Sequence, residues 1–225
     1  VAGLKLKLDL HIHSIYSSDS INTIDSIIEG IKLKGLHGYA LADHDTIEGH
    51  NEAYEKKGDI VFIPAQEISA KNCHVLAYDP NEPIARGLTL GETVDRIHEQ
   101  GATAVLAHPF GIPRNWISVR EVKQTRLDAI EVANAAQFPY NYILKLNRSL
   151  AKDMALPETG GSDSHIPSTL CRAYTIVDTP SEEVEDVLKS IRMGRTEVFG
   201  SGTGLFSRIK KLWKTSSLYS LPSIM

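Results

Sequence analysis

The sequence predicts an α/β fold, a layer or a barrel, on three observations. Short apolar runs alternate with amphipathic helical stretches along most of its 225 residues, the pattern of strands interleaved with helices. Residues of metal-ligand type follow nearly all of the apolar runs, where a parallel α/β barrel gathers its site. With 42% hydrophobic and 23% charged residues, the chain can bury a core without disulfides. No internal repeat or low-complexity tract interrupts residues 1–200, which read as one domain followed by a tail at 201–225.

The elements follow in order. Leu4, Leu6, Leu8 and Leu10 alternate with other residues and give a first strand over Leu4–Leu10. Ile24, Ile27, Ile28 and Ile31 recur at helical spacing and stop at Gly35. Apolar runs predict strands at Gly38–Ala42, Ile60–Pro64 and Cys73–Ala77. Thr89 and Glu92 form a capping box for a helix with Val94 and Ile97 inside and Gly101 as its stop. Strands at Thr103–Ala107 and Ala129–Val132 come next, and Tyr142, Leu146, Leu150 and Met154 mark a further helix. Strands near Leu156–Gly160 and at Ala173–Val177 complete the set. Thr179, Pro180 and Glu182 supply an N-cap, a first-turn proline and a third-position acid for a helix carrying Val184, Val187, Leu188 and Ile191.

The stretch 200–204, GSGTG, reads as a hinge. Beyond it, Leu205, Phe206, Ile209, Leu212 and Trp213 fall within about 120° of a helical wheel, opposite Arg208, Lys210, Lys211 and Lys214. A short amphipathic C-terminal helix is expected. It suits packing on the body or a subunit contact, or else a membrane-surface or nucleic-acid anchor. The tail holds no acid, so the first two hundred residues are more acidic than the net charge of −4 indicates. Such a body does not suit duplex DNA, whose binding needs phosphate neutralisation. No apolar run of membrane-spanning length exists, and Cys73 and Cys171 form no CxxC. A reduced, cytoplasmic protein without a transmembrane segment is expected.

Nine histidines stand out. Asp9, His11 and His13 alternate at the end of the first strand, so all three side chains can converge on one spot. Asp43, His44 and Asp45 end the second strand, Glu67 follows the third, His108 the fifth, and Asp163 and His165 the seventh. His74 opens the fourth strand, and Glu131 lies within the sixth. His37, His50 and His98 have ordinary surroundings and read as bystanders. Asp9, Asp43, Asp45 and Glu131 also suit groups that orient ligand imidazoles.

Several of these segments occur in the order seen in one family. DLHIHS at 9–14, Ser18 with Asp19, LADHDT at 41–46, Glu67 with Ile68, His74, AHP at 107–109 and GSDSH at 161–165 resemble the PHP family, named for polymerase and histidinol phosphatase. The resemblance spans about residues 4–178. It implies a distorted (β/α)7 TIM-like barrel with three metal ions at the C-terminal ends of the strands. It also implies ligands: His11, His13, Glu67 and Asp163 for one ion, Glu67 with His74 and His108 for a second, and Asp19, His44 and His165 for a third. The short stretch between His74 and His108 leaves no room for the inserted domain of some family phosphatases.

Nitrogen and oxygen ligands suit zinc, manganese or iron alike. Clustered ions of this kind generate hydroxide at neutral pH and neutralise charge on a phosphate ester. His11, His13, His44, Glu67, His108, Asp163 and His165 are therefore the expected catalytic set, and Arg172, Arg114 and Lys71 are candidate phosphate-binding cations. The expected enzyme is a metal-dependent phosphoesterase acting on a small phosphate monoester, nucleotides included. Alternatives are a phosphodiesterase or exonuclease trimming nucleic-acid ends, a hydrolase of C–N bonds, and a non-catalytic metal-binding regulatory module.

Overall fold

Nine strands and six helices make up the described part of the chain, residues 3–111 and 117–204 of a computed structural model. The strands are β1 (Leu4–Ile12), β2 (Gly38–His44), β3 (Val61–Ser69), β4 (His74–Tyr78), β5 (Thr103–Ala107), β6 (Ala129–Asn134), β7 (Glu158–Gly161), β8 (Ala173–Thr179) and β9 (Thr196–Gly200). The helices are α1 (Ile24–Leu33), α2 (His50–Lys56), α3 (Leu90–Glu99), α4 (Val119–Lys123), α5 (Tyr140–Met154) and α6 (Val184–Arg192). Arg114 and the amphipathic helix expected in the tail lie outside the described residues.

All strands join one sheet in the order β7-β6-β5-β4-β3-β2-β1-β8-β9. Its ends curl toward each other. Asp163 N donates to His11 O (2.7 Å) and His13 N to Ser164 O (3.0 Å), which seats the end of β7 against β1. The Thr175 hydroxyl of β8 accepts from Gly160 N and donates to Gly160 O. The fold is α/β with a nearly closed, barrel-like sheet. Pairings β1/β2, β2/β3, β5/β6 and β6/β7 are parallel, whereas β3/β4, β4/β5, β1/β8 and β8/β9 are antiparallel. The reversal of β4 matters for the candidate site. It sets His74 beside Ser69 and Ala107, at the ends of β3 and β5, so a residue that opens its strand still reaches the same rim.

Leu6, Leu8, Leu10, Ala40, Ala42, Ile63, Ala65, Leu76 and Tyr78 fill the barrel, and α6 contributes Val187, Leu188 and Ile191 to the same cluster. Helix α1 buries its four isoleucines, with Tyr39 and Phe62, on the outer face. Helix α3 buries Leu90, Val94 and Ile97 against Val75 and Ala104. Its start is the expected capping box: Thr89 Oγ1 accepts from Glu92 N, and Glu92 Oε2 accepts from Thr89 N.

Three expectations need correction. The cap expected at Thr179 does not form, because Thr179 remains in β8 opposite Leu4. Helix α6 begins instead at Val184, where the Ser181 hydroxyl donates to Asp186 Oδ2 and accepts from Glu183 N. The expected hinge is held to the body, since Ser201 N donates to Arg172 O and Thr203 N to Ala135 O. The common direction expected for Asp9, His11 and His13 is interrupted. The β1/β2 register shifts between Asp9 and Ile12, so Leu10 faces the barrel cluster while Ile12 packs under α1. A bulge of this kind re-aims side chains at a barrel rim. No helix among the described residues is long and apolar enough to cross a membrane.

Candidate metal centre

Past the bulge, His11 and His13 are fully buried and point at one another, Nε2 to Nε2, at 3.1 Å. Glu67, at the end of β3, reaches both: Oε2 lies 3.2 Å from His11 Nε2 and 3.1 Å from His13 Nε2. Asp163 Oδ1, just past β7, stands 3.2 Å from His13 Nε2 and 3.8 Å from His11 Nε2. Asp163 has φ of 50° and His108 of 30°, both in the left-handed region. Such strain outside glycine concentrates at functional sites.

The other candidates ring Glu67 and Asp163. His74 Nδ1 lies 2.8 Å and His108 Nε2 3.1 Å from Glu67 Oε1, while His44 Nδ1 lies 3.1 Å from Glu67 Oε2. Asp19 Oδ2 is 3.0 Å from His165 Nε2 and 3.9 Å from His44 Nε2. Three groups could each hold an ion: His11, His13 and Asp163; His11, Glu67 and His108; and His13, His44 and His165.

The donor set fits metal cations in a second respect. Asp19 Oδ1, His44 Nδ1 and His74 Nδ1 are buried without a hydrogen-bond partner among the described residues, although both imidazole nitrogens face Glu67 oxygens. Buried polar atoms seldom remain unsatisfied. Bound cations would satisfy them. Depth also differs across the site, from Glu67 at 1% side-chain exposure to Asp19 at 32% and His44 at 27%.

Supporting groups hold the imidazoles from behind. Glu131 Oε1 pairs with His11 Nδ1 at 3.0 Å, as expected for a group that orients a ligand. The Asn134 amide bridges Glu131 Oε2 (3.0 Å) and Asp163 Oδ2 (3.1 Å). Asp43 acts through Ser17, whose hydroxyl it accepts at 2.8 Å and which lies 3.1 Å from His13 Nδ1. Asp9 and Asp45 instead accept backbone N–H groups, Asp9 from Ser162 and Cys171 and Asp45 from Ser69. Asp9 braces the closure of β1 with β7, and burial pushes its carboxyl up to about 7. Sequence reasoning missed Ser17 and Asn134, because uncharged polar residues carry no ligand signal.

The bystanders stay away from this cluster. His37 Nδ1 accepts from Lys7 N, His50 Nε2 meets the backbone of Ala65, and His98 Nε2 pairs with Asp128 Oδ2 at 2.9 Å. Arg172 donates to the Ser201 hydroxyl and Gly202 O. Lys71 is exposed.

Burial disfavours every charge here, yet opposite charges outweigh it at Glu67. His11, His44, His74 and His108 hold its carboxyl well below the usual range. For His13, burial lowers the imidazole, but hydrogen bonds to Asp163 and Glu67 lift it to about 9. For His44, burial wins and takes it down to about 4. A raised imidazole stabilises the fold below its unfolded value near 6.5, and that contribution disappears as pH rises through its folded value. The melting temperature of the metal-free protein is therefore expected to fall between pH 6.5 and about 9. Thermal melts in chelator across that range check it, and a flat profile would contradict the pairing of His13 with Asp163 and Glu67.

The model of the PHP domain matches residues 9–71, and that of the PHP-associated region matches residues 144–196. The chain belongs to the PHP family. The PHP-domain match covers His11, His13, Asp19, His44 and Glu67. The uncharacterized protein MJ1587 of Methanocaldococcus jannaschii is 32% identical over 142 residues, 58% of this chain and 82% of that protein. A two-domain protein from Bacteroides vulgatus, described as containing a predicted PHP-like metal-dependent phosphoesterase, superimposes with a TM-score of 0.74. It is 18% identical, over 95% of this PHP chain and 70% of that one. The lesion-specific endonuclease PfuEndoQ of Pyrococcus furiosus gives a TM-score of 0.64 at 19% identity, over 99% of this chain and 72% of that one.

Proposed function

We propose that this PHP protein is a metal-dependent phosphoesterase acting on a small phosphate monoester. The observation that carries the reading is the convergence of His11, His13, Glu67 and Asp163, from three separate strand ends, with each histidine within 3.8 Å of both carboxylates. These four would hold one divalent ion, Glu67 with His74 and His108 a second, and Asp19, His44 and His165 a third. The ions, whether zinc, manganese or iron, would lower the pKa of water and neutralise charge growing on phosphate oxygens.

The chain supplies the rest. Glu67 spends both carboxylate oxygens on different imidazoles and so spaces the ligand groups. Glu131 and Ser17 fix the rings of His11 and His13. The packed barrel beneath, with Leu10, Ala42 and Ala65, keeps water out from below. Substrate enters on the side of Asp19 and His44, the more exposed of the ligands.

A panel of phosphate monoesters, run with added Mn²⁺ or Zn²⁺, tests the reading. Phosphate release is expected from the wild type and from His98→Ala, and none above background from His44→Ala. A wild type that releases no phosphate from any ester ends the proposal. Release of nucleotides from single-stranded DNA or RNA instead would reassign the site to phosphodiesters.

A further inference from the structure

We propose that Ser17 is a positioning residue that sets which nitrogen of His13 carries the proton, and so presents His13 Nε2 to the metal centre. The inference rests on the metal-site reading above and concerns a residue that supplies no ligand atom in it.

Hydrogen-bond accounting carries the argument. The Ser17 side chain is buried, with 2% of the residue exposed, and its oxygen has three partners. It lies 2.8 Å from Asp43 Oδ1, 2.9 Å from His44 N and 3.1 Å from His13 Nδ1. A hydroxyl has one hydrogen to donate and two lone pairs to accept with. His44 N can only donate, so it takes one lone pair. Asp43 is an acceptor on every side: Oδ1 also accepts from Ser14 N, and Oδ2 accepts from the Ser14 hydroxyl, each at 2.6 Å. The Ser17 hydrogen therefore goes to Asp43. A lone pair is all that remains for His13, so His13 Nδ1 must bear a hydrogen and donate it.

The consequence lies at the other end of the ring. In the neutral imidazole that binds a cation, a proton on Nδ1 leaves the lone pair on Nε2, on the side of Glu67 Oε2 (3.1 Å) and Asp163 Oδ1 (3.2 Å). His11 reaches the same state by a direct route, its Nδ1 lying 3.0 Å from Glu131 Oε1. The two imidazoles of one His-x-His segment are thus set by different devices, a carboxylate and a hydroxyl backed by a carboxylate. Ser17 also binds the backbone of His44, so one hydroxyl positions candidate ligands from β1 and β2 together. Its neighbour Ser18 is exposed.

The test uses the full chain, ¹⁵N-labelled and loaded with zinc. Two-bond ¹H–¹⁵N correlations of the wild type are expected to show the His13 proton on Nδ1. In Ser17→Ala, zinc affinity read by chelator competition is expected to fall about 10- to 100-fold. The His13 Nδ1–H signal should exchange rapidly with solvent, while that of His11 persists. Ser18→Ala should match the wild type in both readouts. Finding the wild-type His13 proton on Nε2, or a Ser17→Ala affinity within about twofold of wild type, overturns the proposal. If Ser17→Ala does not fold, the wild-type spectrum alone decides. A wild type that binds no zinc would overturn the metal-site reading as well, whereas wild-type binding matched by Ser17→Ala removes only the role of Ser17.

Discussion

Glu67→Gln is expected to cut phosphate-ester turnover by about a thousandfold, equivalent to about 4 kcal/mol of lost transition-state stabilisation. It should also lower the zinc or manganese content of the purified protein. Glu67 is the hub of the cluster: its two oxygens lie within 3.2 Å of nitrogens on His11, His13, His44, His74 and His108. Glutamine has nearly the same shape but brings no charge, and its amide NH₂ would point a donor at an imidazole where an acceptor is needed. The loss therefore reports charge and hydrogen-bond polarity, with little change in volume. Metal analysis of the purified variant beside its kinetics would separate lost ions from lost chemistry. Turnover within about tenfold of wild type with full metal content would mean that Glu67 does not bridge the ions.

Gly161→Ala should be the most damaging small substitution outside the candidate ligands. A Cβ at Gly161 would run into the Cβ and backbone N of His11, with His11 Cα at 2.9 Å. Backbone cannot swing aside as the tip of a side chain can. The end of β7 would have to lift off β1, loosening the contacts Asp163 N to His11 O and Ser162 N to Asp9 Oδ1. Overpacking of this kind costs about 2 kcal/mol or more, a fall in melting temperature of about 6 °C for a domain of this size. Zinc affinity should drop with it, because His11 and Asp163 sit on opposite sides of that seam. Gly91→Ala is the contrasting control. Gly91 lies in α3 with nothing within 4 Å of its added Cβ, so alanine there should gain about 0.5–1 kcal/mol through helix propensity. Equal melting temperatures for the two variants would contradict the close approach of β7 to β1.

Much of the fold was legible because burial imposes a period on sequence. The alternating leucines of β1, the isoleucines of α1 and the Thr89 to Glu92 cap of α3 each formed where the pattern placed them. Strand β9 was not foreseen, since Thr196–Gly200 is an edge strand with only Val198 and Phe199 as large apolar residues and little of it buried. The start of α6 was misplaced because a proline and a threonine make a good cap only if the strand before them has ended. Thr179 is still paired with Leu4.

The sequence by itself determined which residues are candidates for the chemistry. Imidazoles and carboxylates at the ends of apolar runs are costly to bury unless they are paired or bind a cation, so their positions mark a site before any coordinates exist. Only the tertiary structure decided which of them meet. A shift of register in β1 turned His11 and His13 inward and left Asp9 to brace the seam. The reversal of β4 brought His74 to the rim. Closure of β7 on β1 placed Asp163 beside residues some 150 positions earlier in the chain. Residue type is a local property, whereas convergence depends on how the whole sheet curls. Ser17, which has no ligand chemistry of its own, lies between Asp43 and His13 because β2 pairs beside β1 and brings Asp43 to the turn that follows β1.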